Sequence, residues 1–301
     1  MKKTLITLLK WAWIAAIFIF IVFFISKNYY ELEQSLKKIH TYYICLSFIC
    51  ILNAKILLVF FMYCVIQSIG QNMSLSSCFR IYNISQLGKY LPGNIWHFVG
   101  KAAAYKNKGF TLTNIKEALI VENLWLVFSA LVFGFVLIFI FEFALLKGLI
   151  TANINYLIVL IGVIPLVVFM TWKILKIDLW HIILNYRLSA KIITIQIFIW
   201  TFLGLGFGVL IIPFISENTS LLMITGLYAM AYSIGFVTPF APAGIGIREG
   251  VLALGLMPHI PLEVVLLVSA ANRLVYLLVE IVLAGLSLAG ARLKRDSAVG
   301  S

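Results

Sequence analysis

The sequence predicts an all-α polytopic integral membrane protein. It has seven to eight transmembrane helices and two Pro/Gly-broken, re-entrant helical segments. Three observations carry this reading. Of the 301 residues, 63% are apolar and only 11% are charged, against about 25% charged in a soluble domain. The apolar residues recur along the whole chain, mostly in runs near the ~20 residues that a helix needs to cross the hydrocarbon core. The runs are uniform and do not alternate, which excludes the strands of a transmembrane barrel.

The runs fall at 11–26, 43–67, 117–141, 154–172, 192–214, 220–238 and 263–289. The first follows Lys2 and Lys3 and has the outline of a signal peptide. It is too long, stays bulky to Ile25 and has no small-x-small site after it, so it reads as a retained span. No loop is long enough to form a soluble domain. Residues 1–295 therefore read as one transmembrane domain, and 296–301 as a disordered tail.

The formal net charge of +12 has a membrane meaning. Lys and Arg collect in cytoplasmic loops, where they also attract anionic headgroups. Lys2, Lys3 and Lys10 place the N-terminus in the cytoplasm. Counting crossings puts Lys101, Lys106 and Lys108 on the same side, with Lys173, Lys176, Arg187 and Lys191. The loop around Glu217 has no basic residue and falls outside. Seven crossings would leave Arg292, Lys294 and Arg295 outside; an eighth, hidden in 74–108 or 239–262, would return the C-terminus to the cytoplasm. No basic region outside the spans is large enough to bind nucleic acid.

Those two segments each follow an apolar span and are interrupted by Pro and Gly: FRIYNISQLGKYLPGNIWHFVGK and YAMAYSIGFVTPFAPAGIGIREGVLALGLMP. Pro removes a backbone donor and clashes with the preceding turn, while Gly permits conformations that other residues avoid. Unwound backbone at membrane depth is tolerated only where protein or a water-filled cavity covers it. Each segment therefore reads as two half-helices about a turn, at Pro92 and Gly93 in the first and at Pro242, Gly244 and Gly246 in the second. The half-helix after such a turn aims free N–H groups at the cavity, a setting for an anion such as a lipid phosphate. Asn94 and Gly244 lie near these starts, and Lys89, Lys101 and Arg248 add full charge. The plainer alternative is a pair of ordinary interhelical loops with Pro-Gly turns.

Aligned on Pro92 and Pro242, Tyr82 faces Tyr232, and Glu122-Asn123 faces Asn272-Arg273. This is a weak internal repeat, and paired interrupted segments point to a transporter's binding site. Charged residues within the spans add to it, since a charge at the bilayer centre costs about 2.5–3.5 kcal/mol. Lys55, Glu122, Arg273 and Glu280 are in this position. One reading is a polar cavity in which Arg248 or Arg273 binds a headgroup, with Glu122, Glu249 and Glu280 balancing charge or coupling transport. The other is a structural ion pair, for instance Glu122 with Arg273. Lys55 reads as a snorkelling side chain. Gly204, Gly206 and Gly208 read as sites of close helix packing.

The four cysteines and four histidines show no metal spacing. No G-x-S-x-G or H-E-x-x-H motif occurs, and Asp178 and Asp296 are the only aspartates. The expectation is a protein that is not an enzyme and has no cofactor.

Three pieces carry a resemblance: Lys89 to Asn94, Pro242 to Gly250 (PAGIGIREG), and Asn272-Arg273-Leu274. They resemble the lysylphosphatidylglycerol synthase transmembrane family, also called flippase-like membrane proteins, nearly throughout the chain in span order. The resemblance implies re-entrant half-helices and both termini in the cytoplasm. In the best-known members this domain translocates an aminoacylated phospholipid made by a separate synthase domain, for which this chain has no room. What carries over is translocation of a phospholipid or polyprenyl-linked lipid across a prokaryotic cytoplasmic membrane. The expected partners are membrane lipids with an anionic or polyprenyl-phosphate headgroup, and a homodimer is one option for the assembly. Lys89, Asn94, Lys101, Arg248 and Arg273 would bind the phosphate. The family's first motif usually continues Gly-Gly-x-x-Arg, where Ile95-Trp96-His97 and Lys101 stand here. The alternatives are a membrane enzyme or accessory subunit of glycolipid assembly, and a non-transporting scaffold.

Overall fold

The computed structural model describes residues 26–90, 95–141, 186–216, 219–238 and 241–299. The run at 154–172, nearly all of that at 11–26, and the turn residues Pro92, Gly93 and Asn94 lie outside them. The described residues are helical, without strands: α1 (Tyr29–Lys38), α2 (Thr41–Ser68), α3 (Leu75–Gln86), α4 (Trp96–Asn107), α5 (Leu112–Phe141), α6 (Tyr186–Ile211), α7 (Leu221–Val237), α8 (Ile247–Leu256) and α9 (Leu262–Val299). Short 3-10 turns cover Leu87–Tyr90, Ile212–Phe214 and Pro242–Gly244. The backbone of α9 continues as helix through 296–299, the start of the tail set apart in the sequence.

Four segments are long and apolar enough to cross a bilayer: Thr41–Ser68, Leu112–Phe141, Arg187–Phe214 and Leu262–Gly290. They contain the runs read at 43–67, 117–141, 192–214 and 263–289. The run at 220–238 forms α7, a shorter apolar helix of 17 residues. Serines open two of the helices. Ser74 accepts the Ser77 N–H ahead of α3, and Ser220 accepts the Met223 N–H ahead of α7, each satisfying one donor the first turn leaves free.

In a membrane the hydrophobic effect does not drive helices together, so close backbone approach matters most. On α6, Ser47 of α2 donates to the Gly206 carbonyl at 2.6 Å, and a Cβ on Gly206 would sit 2.7 Å from Ile51 Cγ1. Further along the pair, Lys191 of α6 reaches Cys64 of α2, so the two helices run antiparallel. A Cβ on Gly204 would come within 2.7 Å of Thr225 Cα on α7, and one on Gly208 within 2.6 Å of Leu221 Cδ1. These glycines serve close helix packing. Where α5 meets α7, a Cβ on Gly134 would sit 2.5 Å from the Gly226 carbonyl.

The contacts pair off between α2–α5 and α6–α9. Helix α5 packs on α7, as α9 packs on α3. Helix α2 touches α3, α5 and α9; α6 touches α7, α9 and α5. Each set contains one tight helical hairpin. In α3–α4, a Cβ on Gly88 would meet the His97 N at 2.8 Å, and one on Gly100 would lie 3.6 Å from Ser85 Cβ. In α7–α8, a Cβ on Gly235 would lie 3.4 Å from Gly244 Cα, and one on Gly255 would meet the Leu227 side chain. The second turn is built from left-handed backbone at Ala243 (φ 50), Gly244 (φ 69) and Gly246 (φ 85). Glycine adopts this region readily and alanine does not.

Gly204→Val is expected to destabilise the protein by roughly 1–3 kcal/mol through overpacking against Thr225, read as a lower thermal midpoint in detergent. Gly285→Val, at a position with nothing within 4 Å, should leave the midpoint nearly unchanged.

Candidate functional site

The two hairpins and the adjoining faces of α5 and α9 enclose a cavity of about 250 Å³. Helix periodicity explains which side chains reach it. Tyr228 and Tyr232 lie one turn apart on α7, and Asn272, Arg273 and Tyr276 share a face of α9; all five line the cavity, as do Tyr82 and Tyr90.

Three clusters of opposite charge surround this space. Lys101 of α4 pairs with Glu122 of α5 at 2.5 Å and lies over the Tyr82 ring, 4.6 Å from its centre. Glu280 of α9 receives Lys55 of α2 and, at 2.5 Å, Lys89 of the first turn, both at Oε1, while the Tyr90 hydroxyl donates to Oε2 at 2.8 Å. Both ammonium groups sit over the Tyr276 ring, at 4.0 and 4.5 Å. Arg273 of α9 pairs with Glu249 of α8 and donates to the Ala243 and Gly244 carbonyls at 3.5 and 3.3 Å.

Arg248 is held differently. Among the described residues no carboxylate pairs with it. Its guanidinium donates to the Tyr228 hydroxyl at 2.9 Å, and Tyr228 donates on to Asn272 Oδ1 at 3.3 Å. It lies over the Tyr232 and Tyr228 rings at 4.6 and 5.3 Å. Its stem runs against Gly235 and Gly244, where a Cβ on Gly244 would be 3.0 Å from Arg248 Cδ. The two glycines thus provide the slot in which this arginine lies.

Several buried polar atoms on the cavity wall make no hydrogen bond: His97 Nδ1, Glu122 Oε2 and Asn272 Nδ2.

The structure corrects two expectations. Glu122 pairs with Lys101, and Arg273 with Glu249, so the Glu122–Arg273 pair weighed from the sequence does not form. Lys55 does not snorkel: it is 1% exposed and bound to Glu280. The N-terminus of α8 is already occupied, since Glu249 Oε2 accepts the Gly246 N–H at 2.7 Å as a cap. Lys89, Lys101, Arg248, Arg273, Glu122 and Gly244 line the cavity, while Glu249 and Glu280 stand behind it, each holding a cation that does. The tyrosines at 90, 228 and 276 are lining residues to which the sequence assigned no role. The four-residue step between Tyr228 and Tyr232 was the available signal.

A family model for the lysylphosphatidylglycerol synthase TM region matches residues 9–284. The chain belongs to this family. No curated protein matches it. As a multi-pass member of the lysylphosphatidylglycerol synthase TM family, the protein carries its cavity wholly inside the matched region, from Tyr82 to Leu277.

Removing one partner of a buried ion pair typically costs 3–5 kcal/mol, whereas replacing the whole group by apolar residues is often neutral. Glu280→Gln is therefore expected to lower the detergent thermal midpoint sharply. Glu280→Leu combined with Lys55→Met and Lys89→Met should recover most of the loss.

Proposed function

We propose that this protein moves a lipid across the cytoplasmic membrane of a prokaryote, passing its headgroup through the cavity between the two hairpins. The observation that carries the reading is Arg248: a guanidinium on the cavity wall, held only by a phenol and two aromatic faces, with no carboxylate bound to it among the described residues. A charge kept in an apolar protein with no carboxylate in contact among the described residues is costly, and a phosphate arriving with its lipid offsets that cost.

The hairpins suit this role. Helices α3 and α4 have 12 residues each and α8 has 10, lengths of roughly 18 and 15 Å at ~1.5 Å per residue. The hydrocarbon core is about 30 Å thick. On this reading each hairpin enters the membrane and turns back, and the irregular backbone at its tip is covered by the cavity. The exchange of contacts between α2–α5 and α6–α9, with α2 and α6 antiparallel, fits an inverted repeat, in which one half rocks against the other around a central site. The acyl chains stay in the bilayer while the headgroup crosses, so a cavity much smaller than a whole lipid suffices. The carboxylates hold the lysines and Arg273 in place, and the protein acts as a transporter and not as an enzyme.

The test is reconstitution in liposomes carrying a fluorescent phospholipid, with quencher accessibility as the readout. Protein-dependent transfer between leaflets is expected. Arg248→Ala should slow it by about tenfold or more, the factor that ~1.4 kcal/mol of lost binding gives. Gly235→Ala, which places a methyl group against the Arg248 stem, should slow transfer while leaving the charge in place. Absence of transfer, together with a new lipid product by mass spectrometry, would replace this reading with an enzyme of glycolipid assembly.

A further inference from the structure

We propose that the cavity selects a phosphate group carrying two negative charges, a terminal monoester or a diphosphate, bridged between Lys89 of the first hairpin and Arg248 of the second. The inference rests on the reading of this cavity as a headgroup site and names the headgroup's chemical class.

The argument is one of charge matching in a place poor in water. Among the described residues, five cations and three carboxylates meet in and around the cavity: Lys55, Lys89, Lys101, Arg248 and Arg273 against Glu122, Glu249 and Glu280. Lys101 is matched by Glu122 and Arg273 by Glu249. Glu280 is shared, and it matches the more deeply buried of its lysines, Lys55 at 1% exposed. That leaves two cations in excess, Lys89 and Arg248. Both line the cavity, one from each hairpin. The turns that carry or adjoin them, Leu87–Tyr90 and Pro242–Gly244, touch each other. A ligand centred between them would therefore hold the two hairpins together.

A ligand with two negative charges brings this set to neutrality. A phosphodiester headgroup, with one negative charge, leaves one cation unmatched. A headgroup that also carries an ammonium leaves both unmatched, and adds a cation to a wall on which Glu122 is the sole carboxylate among the described residues. The neutral groups fit the same chemistry. Asn272 Nδ2 is a buried donor without a partner, on a side chain 3% exposed, and it sits beside the Tyr228 hydroxyl that holds Arg248. A phosphate oxygen has lone pairs for both the amide and the guanidinium.

The test is binding to the full chain in nanodiscs at pH 7, where a phosphate monoester carries a charge of about −1.5 to −2. Phosphatidic acid is the monoester probe, phosphatidylglycerol the monoanionic diester and phosphatidylethanolamine the ammonium-bearing one, each with the same acyl chains. Phosphatidic acid is expected to bind about tenfold or more tightly than the other two. Lys89→Gln leaves the Lys55–Glu280 pair intact and keeps a donor at this position, so it should fold with a lowered thermal midpoint and lose most of that preference. Lys89→Arg should keep it. Two further arms identify the source of the phosphate. If inorganic phosphate at 10 mM does not displace phosphatidic acid, the ligand is a lipid; if it binds as tightly by itself, the ligand is a soluble phosphate. Equal affinity for the three lipids, or a preference that survives in Lys89→Gln, would overturn the inference. Failure of transport is separate: leaflet transfer of phosphatidylglycerol without dianion selectivity sinks the inference alone, and selective binding without any transfer sinks the transport reading alone.

Discussion

Glu280 is the point on which the polar architecture depends. It is 2% exposed and accepts from Lys55, Lys89 and Tyr90. These donors come from α2 and from the turn between α3 and α4, and the acceptor from α9. A carboxylate taken out of water must be met by cations and hydrogen-bond donors, and here meeting it fixes where the first hairpin turn lies against the last long helix. Once that turn is placed, Tyr90 and Lys89 face the cavity and Tyr276 comes beneath two ammonium groups.

The second hairpin is held by a parallel device with different chemistry. Arg273, two turns before Glu280 on the same face of α9, ties down Glu249 and two carbonyls of the left-handed turn. Helix α9 is thus the spine that carries both hairpins, through Glu280 for one and Arg273 for the other. Close packing at glycine does the remaining work. The slot of Gly235 and Gly244 admits the Arg248 stem, and the Gly134–Gly226 contact draws α5 onto α7 behind it. Burying so many charges stabilises little by itself. What it provides is a cavity wall whose charged groups are fixed in place before a ligand arrives.

Four of the spans and the breaks in the two interrupted segments were legible in the sequence because length, uniform apolarity and Pro/Gly content are local signals. The charged residues of the site were also legible, since a Glu or Arg inside an apolar run stands out by its cost. The pairing was not. Lys55 and Glu280 are 225 residues apart, and periodicity reports which face a residue lies on, not what that face meets. The same limit explains Lys55, whose long stem suits snorkelling and burial equally well. The tyrosines were hidden by composition: in a chain with 13 tyrosines and 23 phenylalanines, a four-residue aromatic step carries little information. The cap that Glu249 places on α8 could be read only once Gly246 was seen to end the turn.

The central claim is that cations on the wall, with only Glu122 among the carboxylates beside them and Glu249 and Glu280 set behind, give the cavity a positive potential. Thiol reactivity measures this directly. A single cysteine placed at Phe236, on the cavity wall, in a chain with its four native cysteines replaced, is treated with anionic and cationic methanethiosulfonates of equal size. The rates are compared with those of a free thiol. The account expects the anionic reagent to be favoured by about tenfold or more over that reference, a ratio that falls when Arg248 is replaced by Gln. Equal rates, or faster reaction with the cationic reagent, would contradict it.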